Sequence, residues 1–360
     1  MSTPTDGKQS ADLEAFRRGE AQPVSPQRIE AELTSLWQKA AQPGRPLTRA
    51  CLWNMIVYAG MGDAARRYIK GVVDEIAVPA RAIVVHAGVD LPEAPIRAWV
   101  EANWKGHAGS DEVTLEATGV NALRVASLVR SLLVPDAPTA LLSLDALPMA
   151  EDPLLAEVDR LIVDTRRLST EDGLVQLARL AAGEPDLEVS DLGWLGVRPL
   201  REMCSSLFDP PADALVLGQL DRVEVVSGVV GTQSRALLML GWLSSRLGWS
   251  DHQRQAGAEG RRRWIARRAD GGLVAIELST QRGGAEHGVA ACSLAVGDRR
   301  WSLTRDTVIT VACPDLPARV QPARSHSDGE LATRALGALG RDAVYREALG
   351  GAVQLLGASL

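Results

Sequence analysis

The sequence predicts an α/β N-terminal domain with a largely parallel sheet and a hairpin, followed by an α+β C-terminal domain with an antiparallel meander and a final helix. Three observations carry this prediction. "TRACLWNMIVYA", "GDAARRYIKGVVDEIA" and "PARAIVVHAG" (residues 48–88) read as strand, helix and strand, and a βαβ unit implies a parallel pair with a right-handed crossover. From residue 261 to 313 the chain turns to short strands, beginning with two around a Gly-Gly turn. "SDGELATRALGALGRDAVYREAL" then opens with Ser327 and Glu330 at capping-box spacing, the start signal of a helix.

Taken in order, residues 1–24 are rich in Ser, Pro, Gly and charge and read as a disordered arm, followed by an α/β domain over 25–190. "PQRIEAELTSLWQKA" is a helix with Ile29, Leu33, Leu36 and Trp37 at helical spacing, stopped by "QPGRP". The βαβ unit follows, its helix burying Ala65, Ile69, Val72 and Ile76. "APIRAWVEANWKG" and "SDEVTLEATG" form the hairpin, with Ile96, Ala98 and Val100 alternating against polar neighbours. Helix 121–136, strand 138–146, helix 152–159, strand 160–168 and a helix from Ser169 complete this half.

"EPDLEVSDLGW" reads as a polar, turn-rich link into the second domain, 191–360. Its expected helices are 197–209, 233–248 and 328–349, and its antiparallel strands lie within 261–313. In "LMLGWLSSRLGW", Leu238, Trp242, Leu243 and Leu247 make an apolar stripe, so Trp242 is expected in the core. Gly248 fits the left-handed C′ position, which puts Trp249 at C″.

Composition bounds the function. Hydrophobic residues make up 46% and charged residues 23%, as in an ordinary folded chain. The net charge of -6 opposes a broad nucleic-acid or anionic-membrane surface, which needs an excess of Lys and Arg. No apolar run approaches a bilayer span and the first residues lack a hydrophobic signal core, so the expected location is the cytoplasm. The four cysteines, Cys51, Cys204, Cys292 and Cys313, are widely spread without CxxC or zinc-like spacing and are expected to be buried, reduced thiols. Nine Trp stand against three Tyr and two Phe, and Trp serves both cores and binding hot spots.

Motifs for catalysis are sparse. GxxxxGK[ST], GxGxxG after a strand, GxSxG, HExxH and DxDxDG are absent, and the five histidines have no neighbouring nucleophile or carboxylate in triad spacing. The turn Gly228 to Ser234, between a strand and a helix, could offer backbone N–H groups to an anion but lacks a phosphate-binding Lys. "EGRRRWIARRADGG" is the sharpest basic cluster. Its period-two pattern reads as a sheet edge protected by Arg, or as a contact for an acidic protein, in preference to a nucleic-acid site.

Two segments carry a resemblance. "VSDLGWLGVRPLREMCSSLFDPP" (189–211) and "RALLMLGWLSSRLGW" (235–249) resemble the glucose-6-phosphate dehydrogenase assembly protein family, OpcA. The matching positions are Asp191, Leu192 and Trp194, then Arg198, Arg201, Phe208 and Asp209, then Gly241 to Trp249. Collinear support extends over roughly residues 29–349 through "IEAELTSLW", "PARAIVV", "LLVPDAPTALL", "DRLIVDTRRL" and "LGRDAVYREAL". The chain departs from the family where a Trp pair gives way to Ser143-Leu144-Asp145, and where a frequent cysteine gives way to "KGHAGSD". The resemblance implies a non-enzymatic protein without a cofactor that binds the dehydrogenase of the oxidative pentose phosphate pathway and promotes its assembly or active state. It points to Trp194, Arg198, Arg201, Trp242, Arg246 and Trp249 as residues that form or brace the contact face, with Trp194 the first to test. A sugar-phosphate sensor or enzyme using the Gly228 to Ser234 turn is the alternative.

Overall fold

The computed structural model describes residues 16–18, 21–40, 48–105, 108–168, 170–209, 214–228, 233–281, 288–314 and 316–358. Two compact units divide the chain: Met1–Ile162 with Asp328–Gly337, and Val163–Ser327 with Ala338–Leu360.

In the first unit the strands are β1 (Phe16–Arg18), β2 (Gln22–Val24), β3 (Thr48–Arg49), β4 (Trp53–Ala59), β5 (Ala80–Gly88), β6 (Ala94–Lys105), β7 (Ala108–Thr118), β8 (Thr139–Ser143) and β9 (Arg160–Val163). The helices are α1 (Ile29–Ala40), α2 (Asp63–Glu75) and α3 (Val120–Leu132). The sheet runs β1-β6-β7-β5-β4-β8-β9. β4 pairs in parallel with β5 on one side and with β8 on the other, and β5 pairs in parallel with β7. β6 and β7 form the antiparallel hairpin. The apolar stretches 55–57 of β4 and 82–85 of β5 follow from burial on both faces, the usual condition of a parallel sheet.

Three expectations for this unit change. β1 and β2, read as part of a disordered arm, pair antiparallel with β6; main-chain hydrogen bonding to a sheet needs no apolar pattern to announce it. The segment 152–159 is not an α-helix but a single 3-10 turn at Leu155–Glu157, entered where Asp152 accepts from Leu154 N at 2.9 Å. The expected final helix 328–349 is two helices. The first, Asp328–Gly337, belongs to this unit, where Tyr68 Oη donates to Asp328 Oδ2 (2.8 Å) and Ala77 N donates to Thr333 Oγ1 (3.0 Å).

The second unit holds β10 (Glu188–Asp191), β11 (Arg222–Ser227), β12 (Ser250–Gln255), β13 (Arg261–Arg267), β14 (Leu273–Thr280), β15 (Val289–Val296), β16 (Arg299–Arg305), β17 (Val308–Ala312) and β18 (Arg319–Pro322). Its helices are α4 (Thr170–Gly183), α5 (Leu192–Gly196), α6 (Arg198–Ser206) and α7 (Gln233–Arg246). With Asp328–Gly337 as α8, the last helix is α9 (Ala343–Leu355). Between α8 and α9, Gly340 adopts φ +69° and Asp342 caps α9 by accepting from Tyr345 N at 2.9 Å, which ends one helix and starts another.

The sheet order is β12-β13-β14-β11-β15-β16-β17-β18, antiparallel except where β11 enters beside β14 in parallel. The basic strand β13 therefore lies between β12 and β14 and is not an edge. Its Arg261 and Arg263 both reach Glu277 of β14 (2.9 and 2.8 Å), and Arg267 reaches Asp251 (3.2 Å), while Trp264 turns inward and donates to Leu355 O at 2.6 Å. The sequence could show the alternation but not the acidic cross-strand partners.

α7 and α9 pack backbone to backbone. A Cβ on Gly241 would sit 2.1 Å from Ala348 O, and one on Gly351 would sit 2.5 Å from Gly241 O. The glycine in the middle of α7 thus has a tertiary reason.

An apolar groove as candidate functional site

The segment 184–194, read from sequence as a polar link, starts exposed at 184–186 and then enters the core: β10 leads into α5, and Asp191, Leu192, Gly193 and Trp194 are all buried. Its last acidic letter, Asp191, marks capping and not exposure. Asp191 accepts from Gly193 N at 2.8 Å and from Thr165 N and Oγ1 at 3.1 and 2.8 Å. A Cβ on Gly193 would lie 2.6 Å from Thr165 Oγ1, so the Gly-Trp pair reflects close approach.

Trp194 is 1% exposed, packed inside the fold and not at its surface. Its indole Nε1 donates to Asp342 Oδ2 at 2.9 Å, the same carboxylate that caps α9. The Tyr345 ring lies 5.7 Å away on one side, and the Arg201 guanidinium sits 3.2 Å from the ring centroid. Burial pushes the Arg201 pKa down to about 10. Arg198 does not join it: one turn earlier on α6, it is exposed and paired with Glu202 at 2.7 Å. Replacing Trp194 by Phe keeps most of the ring area but frees the Asp342 oxygen. We expect a loss of about 1.5–3 kcal/mol in urea unfolding, the usual contribution of a hydrogen bond to a charged group.

Two of the remaining expected residues meet on a different surface. Trp242 and Arg246 line an apolar groove of about 430 Å³ between α6, α7, β15 and the start of α9. Phe208, Leu217, Leu247, Leu294 and Val344 complete its walls, with Arg246 at the rim bonded to Glu347. Trp242 is largely buried, as the helical stripe indicated. Trp249 lies apart from the groove. It is buried at C″, with Trp249 N donating to Ser244 O at 2.9 Å and Gly248 at φ +65°, the helix end that the sequence indicated.

Leu247 continues the stripe of α7 and was legible as part of it. Leu217, Leu294 and Val344 come from three segments far apart in sequence, and no local signal could group them.

Of the groove's two hydroxyl or thiol side chains, Ser205 donates to Arg201 O at 3.1 Å, and Cys204 is hydrogen-bonded with Cys292 and fully buried, both effects holding its pKa well above the usual thiol value. A protonated thiol is a poor nucleophile. Among the described residues, no group of three or more His, Cys, Asp or Glu is placed to hold a metal ion, and no helix is long and apolar enough to cross a membrane. The turn considered for anion binding lies largely outside the described residues, which stop at Gly228 and resume at Gln233.

Two domain models of one family, both described as belonging to a glucose-6-phosphate dehydrogenase subunit, match the chain: the N-terminal domain over residues 75–182 and the C-terminal domain over residues 187–349. A Synechocystis protein bearing the name OxPP cycle protein OpcA is 28% identical over 267 residues, 66% of this chain and 54% of that protein. A protein of the same name from Nostoc punctiforme is 28% identical over 215 residues, 52% of this chain and 45% of that one. The chain thus spans about half the length of these curated relatives. Among solved structures, a UDP-N-acetylglucosamine 3-dehydrogenase from Acidithiobacillus ferrooxidans aligns over 84% of this chain and 96% of its own, with 12% identity and a TM-score of 0.44.

Proposed function

Because the chain belongs to the OpcA family, whose two domains are those of a glucose-6-phosphate dehydrogenase subunit, we propose that it binds that dehydrogenase and favours its active state, acting as a non-enzymatic partner in the oxidative pentose phosphate pathway. The collinear match of both family domains is the observation that carries this reading. The groove supports it: Trp and Arg are the side chains most enriched at hot spots, and an apolar floor with a charged rim is the usual anatomy of a contact surface. Activation then follows from linkage. A protein that binds the active dehydrogenase more tightly than the inactive form shifts the population by its differential affinity, about 1–3 kcal/mol for ordinary allosteric couplings.

The test is a titration of this protein into its cognate dehydrogenase, following the apparent KM for glucose 6-phosphate and the oligomer size. No change in rate, affinity or size at saturation would overturn the proposal. For the groove, Leu247→Glu places a charge on a half-buried wall position, and Arg246→Ala removes the rim. We expect each to weaken half-maximal activation by about 10-fold or more, the scale of a hot-spot loss. Arg246 and Glu347 are both substantially exposed, so Arg246→Ala is expected to leave stability within about 0.5 kcal/mol of the parent. An activator that works normally with both substitutions uses another face.

A further inference from the structure

The first unit holds a second cavity, of about 410 Å³, within the range of roughly 300–1,000 Å³ typical of small-molecule sites. Its position is set by topology. Tyr58 and Ala59 end β4, Val85 and Ala87 end β5, Ser143 ends β8, and all of them line it. β4 is the strand from which the chain goes first to one side, to β5, and later to the other, to β8. In open parallel sheets the crevice outside the carboxyl ends at such a reversal is where ligands bind, because the flanking connections diverge there.

The loop at its edge adds a sequence signal one residue away from the strict glycine fingerprint. Gly60-Met61-Gly62-Asp63-Ala64-Ala65 follows β4 and opens α2, which is G-x-G-x-x-G with Ala in the last place, an accepted variant of that fingerprint. The loop is held from both sides: His86 Nδ1 lies 3.0 Å from Gly60 O, and Arg66 Nε donates to Met61 O at 3.1 Å. A Cβ on Gly62 would meet nothing within 4 Å and its φ is -72°, so no contact or backbone angle within the protein requires glycine there.

The lining sets the ligand class. Val85, Ala87, Ala122 and Val125 give the lining small apolar residues suited to a flat ring, and Asp145 and Asp152 add carboxylates to the same lining. A carboxylate accepts about four hydrogen bonds, so Asp152, which accepts from Tyr58 Oη and Leu154 N, keeps room for a ligand hydroxyl. Among the described residues no Lys or Arg lines the cavity, so its interior suits a neutral moiety, and any phosphate would lie outside, over Gly62.

We propose that this crevice binds the nucleoside part of a ligand, base against Ala87 and Ala122 and ribose hydroxyls toward the carboxylates, whether free or carried by a dinucleotide. Calorimetry on the full chain alone, with adenosine, NAD+ and NADP+ each at up to about 1 mM, tests it independently of any dehydrogenase. Binding of at least one probe is expected, reduced at least about 10-fold by Ala87→Trp, which fills the crevice from an exposed position. Gly62→Asp, placed in open space, separates the two sources: selective weakening of the dinucleotides identifies them as the ligand type, and tight adenosine binding untouched by it identifies a free nucleoside. No binding by any probe, or binding unaltered by Ala87→Trp in a variant with the parent's unfolding midpoint, overturns the proposal.

Discussion

Gly241→Ala is expected to destabilise the second unit by about 2–3 kcal/mol, although Ala is the better helix former by about 1 kcal/mol. The added methyl would fall 2.1 Å from Ala348 O and 2.5 Å from Ala352 N, both backbone atoms of α9 that cannot rotate away. Relief requires the two helices to separate along their length, and with them the packing of Leu238, Leu349 and Ala352, all buried. Overpacking of this kind costs about 1–3 kcal/mol and more when only backbone can yield, which outweighs the propensity gain. Thermal unfolding should show a midpoint lower by about 5–10 °C. Gly350→Ala supplies the contrast on α9: a Cβ there meets nothing within 4 Å, and that variant should gain about 0.5–1 kcal/mol. Equal behaviour of the two variants would show that α7 and α9 do not meet at Gly241.

The second large effect is a pH dependence centred on Asp191. This carboxyl is completely buried, and burial raises its pKa from 3.8 to about 6 against the lowering effect of its hydrogen bonds from Thr165 and Gly193. Nearby Asp164 pushes in the same direction as burial. A folded-state pKa above the unfolded value means the native state holds the proton more tightly, so this contribution is fully present below about pH 4 and is lost as pH rises through about 6. The shift corresponds to about 3 kcal/mol. In Asp191→Asn, Oδ1 can still accept from the two backbone N–H groups, while the amide can donate to the hydroxyls of Thr165 and Tyr345. Subtracting the stability of Asp191→Asn from that of the parent between pH 4 and 8 cancels the other titrating groups. The difference should fall by about 3 kcal/mol over that range. A flat difference would mean that the hydrogen bonds compensate burial fully.

The candidate sites show where sequence reading stops. Trp194 stands in a run of polar letters, and polarity there suggested exposure. The nearest acidic letter, Asp191, instead caps α5 inside a buried turn, while from outside the run Asp342 caps α9 and holds the indole, and Arg201 covers the ring. Composition cannot distinguish a polar group that faces water from one whose partner lies 148 residues away. Arg198 and Arg201 look equivalent at one helical turn apart, yet one is a surface ion pair and the other lies flat on a buried tryptophan. The basic strand behaved likewise: the period-two alternation of Arg261 to Arg267 was legible, but its place inside the sheet depended on β12 and β14.

Local chemistry by itself determined the βαβ unit, the β6–β7 hairpin, the C-terminal strands and the Gly248 helix end, because hydrophobic period and left-handed glycine act over a few residues. The collinear motifs determined the family. Tertiary structure alone decided that β11 enters between β14 and β15, that 328–349 splits into helices assigned to separate units, and that Trp242 and Arg246 share a groove with Leu217, Leu294 and Val344. These are meetings of segments distant in the chain. They are fixed by which buried faces and backbone groups satisfy one another, a condition on pairs that no single stretch of sequence contains.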